Sequence, residues 1–133
     1  MYGISHGPKG VVVCGQVEYR VSYIKCYNQS GVVWQHKVDG DVYYVCALGD
    51  ENVLYCELYA SCVYSMDVVS GRVSDYVDCG DVRPRCICAG ETGSVWVWDY
   101  NSKNLYRIST GDKPEFHQLG VNSGLTWVDD MCY

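Results

Sequence analysis

Apolar positions in this chain come in short alternating or continuous runs, each closed by a Gly-containing or polar turn. "GVVVCG" (10–15), "YYVCALG" (43–49), "ENVLYCE" (51–57), "RCICAG" (85–90) and "GSVWVWD" (93–99) are the clearest of them. Alternation with period two puts successive side chains on opposite faces of a strand, and short uninterrupted apolar runs suit strands covered on both faces. No window repeats apolar residues at i, i+3, i+4 and i+7 for three turns, so no amphipathic helix is predicted. Val and 13 Tyr dominate the apolar set, and Phe occurs once. Such residues fit a pleated sheet and lose rotamer freedom in a helix. The chain reads as all-β.

The runs repeat. An offset of 42 lays "ENVLYCELYASCVYSMD" (51–67) on "GSVWVWDYNSKNLYRIS" (93–109), matching Val53 with Val95, Glu57 with Asp99 and Met66 with Ile108. The preceding runs match too, with Cys46 on Cys88 and Ala47 on Ala89. An offset of 40 lays "YIKCYNQSGVV" (23–33) on "VYSMDVVSGRV" (63–73), with Gly31 on Gly71. In the third copy four strands are predicted, near 85–90, 93–99, 104–109 and 115–119. Four strands in roughly 40–45 residues is the size of one propeller blade. A single four-stranded blade cannot cover its own faces, but blades cover one another when stacked. The predicted organisation is one domain over 1–133, with antiparallel four-stranded repeats at 11–40, 42–80 and 82–120. Residues 121–133 begin a further inner strand, with a strand-like piece at Leu125 to Val128.

The pair Trp98-Asp99 invites comparison with WD40 repeats. In those the pair ends the third strand of a blade, whereas here "RCICAG" directly precedes it and two strands follow, so Asp99 ends the second strand. The order "RPRCICAGETGSVWVWDYNSKNLYRIS" instead resembles the NHL repeat. Pro84, Ile87, Gly93, Val95, Val97, Asp99, Asn101, Leu105 and Ile108 carry the likeness, and the second copy departs from it with Glu57 in place of the Asp. "SGVVWQHKVDGD" (30–41) also resembles the outer strand of quinoprotein-like repeats, in one copy alone. Propellers usually have four to eight blades. The expectation is therefore an incomplete propeller whose exposed blade edges invite self-association.

Composition narrows the chemistry. The net charge is −6 and the ten Lys and Arg are scattered, which argues against a phosphate-binding patch and against nucleic acid as a partner. No apolar stretch reaches 18 residues, so no membrane-spanning helix is predicted. The start has no leader pattern, and a cytoplasmic protein is expected. Nine cysteines at irregular spacing, without C-x2-C, read as reduced core residues rather than as a zinc or disulfide framework. No metal or other cofactor is expected. Asn28-Gln29-Ser30 reads as a turn.

Catalytic signatures are absent from the sequence pattern. His6, His36 and His117 stand apart from any nucleophile motif. Asp39, Asp41, Asp50 and Glu51 read as turn acids, and the inner strands "YYVCALG" and "RCICAG" carry no carboxylate. Trp96 and Trp98 share one strand face, Val95 and Val97 the other; blade packing accounts for one of these faces and leaves the other open to a partner. The expectation is a non-enzymatic module that recognises a protein, with Arg83, Arg85, Tyr100, Asn101 and Lys103 as contact residues on the turns at one end. The NHL likeness implies a setting like that of the tripartite-motif proteins, where such a propeller selects targets for ubiquitin transfer. The alternatives are a propeller enzyme of lactonase or quinoprotein type, recognised by a metal or cofactor, and a gene fragment without independent function.

Overall fold

The computed structural model describes residues 3–57, 60–89, 94–99 and 104–109, together with the backbone of 116–122. The turn and tail expected at Tyr100 to Lys103 and at Leu125 to Val128 lie outside these residues. Three four-stranded antiparallel sheets follow one another along the chain. The first holds β1 (Gly3–Gly7), β2 (Gly10–Glu18), β3 (Val21–Asn28) and β4 (Gly31–Asp39). The second holds β5 (Val42–Leu48), β6 (Asn52–Glu57), β7 (Cys62–Asp67) and β8 (Val73–Asp78). The third holds β9 (Pro84–Ala89), β10 (Val95–Asp99), β11 (Asn104–Ile108) and β12 (Phe116–Asn122). Strands within each sheet lie in chain order, the pattern of a meander closed by hairpins. β1 precedes the stretch at which the sequence begins its first repeat, so that sheet also has four strands.

The sheets stack as blades. β5 packs against β1 and β2 on one side and against β9 on the other. Two apolar seams result. In the first, Val12, Cys14, Ile24 and Cys26 meet Val53, Tyr55 and Met66. In the second, Leu54, Cys56 and Val63 meet Val95, Val97 and Ile108. The middle blade is covered on both faces, so Val53, Leu54, Tyr55 and Cys56 are buried in succession. β2 alternates instead, with Val12 and Cys14 buried and Val11 and Val13 half-buried. Continuous and alternating runs thus record how many faces of a strand are covered.

Pairing register bears out the 42-residue offset. Cys46 faces Leu54 as Cys88 faces Trp96, and Val53 faces Met66 as Val95 faces Ile108. The 40-residue offset is one position out of phase. It matches Ile24 with Tyr64, yet Ile24 lies beside Cys14 and faces the first seam, as Val63 lies beside Cys56 and faces the second. The cause is turn length. Asn28 and Gly31 close a two-residue turn, whereas Met66 and Val73 flank a longer one closed by Asp67 N–H donating to the Arg72 carbonyl. A slip of one residue exchanges the two faces of a strand.

Gly10, at the start of β2, has φ of 153°, and a Cβ there would run into the Tyr27 carbonyl. Backbone paired in the sheet cannot yield to it. Gly10→Ala should therefore cost about 2 kcal/mol or more, seen as a lower denaturant midpoint at unchanged slope.

The described cysteines largely behave as small core hydrophobes. Cys46 is 3% exposed and burial pushes its thiol up to about 12. Burial likewise raises Cys56 and Cys79. Cys88 is an exception to the reduced set expected from the sequence, because it is disulfide-bonded. Asn28 acts as the turn residue expected of it, its Oδ1 accepting from Ser30 N–H at 2.8 Å.

Candidate functional site: a charged rim at the blade ends

β6 and β10 end, and β5 and β9 begin, at one end of the stack. The two second strands finish in acids at equivalent positions, Glu57 and Asp99, and the two acids do different work. Asp99 is 3% exposed, and its Oδ1 accepts from Arg83 N–H at 3.2 Å. It ties the entry of β9 to the end of β10, a structural task suited to a short side chain. Glu57 is one carbon longer and is half-buried. Its carboxyl lies against Gly40, in the connector between the first two blades, so closely that a Cβ on Gly40 would collide with Oε1. Burial, and then the charge of Asp41, raise the Glu57 carboxyl above its ordinary value, while Arg20 opposes the shift. A carboxyl that holds its proton more tightly is also a stronger base once ionised.

The same connector is stitched to the β2–β3 hairpin. Asp41 Oδ1 accepts from Gln16 Nε2 at 2.9 Å and from Arg20 N–H at 3.1 Å. Gly40 N–H donates to the Arg20 carbonyl at 2.8 Å. Beneath them Ser22, fully buried, donates through Oγ to the Gly40 carbonyl and accepts from Val42 N–H. Together these hydrogen bonds across one blade junction hold Asp41 and the backbone beside Glu57 in place.

Positive charge enters the rim from the third blade. The Arg85 guanidinium sits over the Tyr43 ring, 5.2 Å from its centroid, which joins the entries of β9 and β5 by a cation–π contact. Tyr43 follows Val42, the residue paired with Glu57. Arg83 is exposed at the same entry. Of the residues named from the sequence, Arg83 and Arg85 therefore stand at one rim, and Tyr100, Asn101 and Lys103 lie outside the described residues. Sequence reasoning missed Glu57, Gln16 and Arg20 and left Asp41 as an ordinary turn acid. The departure from Asp to Glu at position 57 was the available signal.

His36 belongs elsewhere. Its Nε2 donates to the Val68 carbonyl at 2.6 Å, and its ring lies 5.7 Å from that of Trp34. It ties the outer strand of the first blade to the turn after β7. Val95, Val97 and Trp98 are all buried, so the open face expected of this strand is not found at these residues. Among the described residues no group of three or more His, Cys, Asp or Glu could hold a metal ion. The opposite end of the first seam offers a cleft among Gly7, Lys9, Ala47 and Asp50 that admits little more than a water.

No protein-family model matches the chain, and no curated protein matches it. Solved structures do. A selenomethionine-substituted virginiamycin B lyase from Staphylococcus aureus superposes with a TM-score of 0.64 at 23% identity, over 88% of this chain and 40% of that one. A streptogramin B lyase superposes at 0.62 and 20% identity, over 88% and 39%. A catalytically inactive His-to-Ala variant of the Staphylococcus aureus lyase, with quinupristin, gives 0.59 and 20%, over 88% and 40%. The chain spans about two fifths of the length of these structures, and the likeness is one of fold. The fold is a β-propeller, as the sequence predicts; nothing in the comparisons singles out NHL repeats or tripartite-motif proteins.

The expectation of a non-enzymatic chain is corrected. The structures that share its fold are enzymes. That expectation rested on inner strands without carboxylates, but the rim acid is delivered by β6, a second strand.

Proposed function

We propose that these three blades belong to a propeller enzyme of lyase type, in which Glu57 is the proton acceptor. The observation that carries this reading is the Glu57 carboxyl, half-buried at a blade junction with its proton affinity raised, on a fold whose solved relatives are lyases. A lyase breaks a bond by elimination. The ionised carboxylate takes a proton from a carbon beside a carbonyl, the C–H electron pair becomes a C=C bond, and the leaving group departs with its own bonding pair. A raised proton affinity makes the ionised carboxylate a stronger base for that task. Arg83 and Arg85 supply positive charge at the same rim, suited to the oxyanion that develops on the carbonyl.

Streptogramin B compounds are the substrate class to try first, because the solved relatives are named for acting on them. The chain is incubated with quinupristin, and the mixture is separated by liquid chromatography before mass spectrometry, because elimination within a ring gives a single product of unchanged mass. Elimination adds no water, so the product should have the mass of the substrate at a new retention time. Unchanged quinupristin would reject the reading, and a gain of one water would reassign the chain as a hydrolase.

A further inference from the structure

We propose that Cys88 is bonded to Cys132, and that this disulfide straps segment 123–133 across the outer face of the third blade. The pairing follows by elimination. Cys88 is disulfide-bonded. Every other cysteine among the described residues is a free thiol. Of the nine in the sequence, Cys132 alone lies beyond those residues. Closing the bond releases one proton from each thiol and passes two electrons to a small-molecule disulfide, which becomes two thiols. The core thiols do not compete for it. Burial holds Cys46 and Cys79 up to about 12, and the thiolate is the form that exchanges.

Burial supplies an independent observation. β5 and β6 pack on the third blade from the seam side, where Ile87, Val95 and Val97 lie. Cys86 pairs with Trp98 and Cys88 with Trp96, and strand alternation puts these four on the opposite face. No described sheet lies beyond that face. A sheet face left bare stays wet. On the outer face of the first blade the paired Tyr27 and Val32 are 39% and 51% exposed. Trp98 is nevertheless 2% exposed, and Cys86 and Cys88 are buried beside it. Cross-strand neighbours touch only the flanks of a side chain, so a ring this large needs a cover laid over it.

Segment 123–133 has the reach and the composition for that cover. β12 ends at Asn122, on the sheet edge opposite β9. Three strand intervals of about 4.8 Å separate the two edges, about 14 Å in all. The ten residues from Asn122 to Cys132 extend up to about 33 Å, enough to cross the sheet and meet Cys88. Leu125, Trp127, Val128 and Met131 bring apolar surface to lay on Trp98. A stack of repeats needs such a cap where an apolar face has no neighbouring blade.

Peptide mapping tests the pairing. The full chain, oxidised with a small-molecule disulfide, is alkylated in denaturant and digested with trypsin without reduction. Peptide Cys86–Lys103 should appear joined to Ile108–Tyr133, lighter than their sum by two hydrogens, with Cys86 alkylated. Alkylation of Cys88 or Cys132 instead would overturn the pairing. Hydroxyl-radical footprinting of the full chain then tests the strap. In a Cys88→Ala, Cys132→Ala double variant Trp98 should label several-fold faster than in the parent, while Tyr55, in the first seam, stays protected. The melting temperature should fall by about 5 °C or more. Should Tyr55 label as well, Cys132→Ser alone, which leaves the core untouched, is read in the same way. Equal labelling of Trp98 in variant and parent would overturn the strap.

Discussion

Glu57→Gln is expected to lower turnover of a streptogramin B substrate by about 10²–10⁴-fold, the range associated with loss of a general base, while affinity for the substrate stays within a few-fold. Gln keeps the size of the side chain and its contact with Gly40, but its amide cannot take a proton. The pH profile of the parent supplies a second check. In the proposed reaction Glu57 works as the carboxylate, so activity should fall on the acid side through a pKa above the ordinary Glu value, since burial and Asp41 raise it. Stability should respond in the opposite sense. With its folded-state pKa raised, Glu57 favours the folded state below its ordinary value of 4.5, and that contribution is lost as pH rises through the raised value. Glu57→Gln should therefore melt at least as high as the parent at neutral pH, with the difference closing in acid. Equal turnover by the variant would remove Glu57 from the chemistry.

Tyr55→Ala should be among the most damaging changes to the core, at about 3–5 kcal/mol by analogy with other large aromatic truncations. Tyr55 is 1% exposed in the first seam, and its ring stacks on Tyr64 with centroids 5.3 Å apart. Truncation leaves a cavity between two blades whose facing residues are held in register by their own sheets, so they cannot close over it. The loss would consume much of the stability of a domain this size. Urea unfolding should show it as a lower midpoint, and a broadened transition would mean that the first blade separates before the others. A cost below about 1 kcal/mol would show that the seam repacks freely.

The blade architecture was legible because its signals are local. Hairpin pairing follows from period-two patterning and turn residues a few positions apart, so the 42-residue offset gave the correct register for the second and third sheets. Where two turns differ in length, the constant offset failed. The first sheet slipped by one residue, and only the seams decide which side of β3 faces the next blade.

The rim shows the limit more sharply. Glu57 and Asp99 occupy the same place in the repeat and look interchangeable in sequence. One is a half-buried acid and the other a buried tie to Arg83, because Gly40 leaves room beside Glu57. Arg20 and Asp41 are 21 residues apart and nothing in their neighbourhoods announces the bond between them. His36 reaches Val68 across two blades in the same way. The sequence by itself determined that this chain is all-β, repeated and built in blades, since neighbouring residues dictate strand alternation and turn chemistry. The tertiary structure decided which faces are covered, which acid is a buried tie and which stays half-buried beside Gly40. Those outcomes depend on the distance between residues far apart in the chain, which stacking of the blades alone fixes.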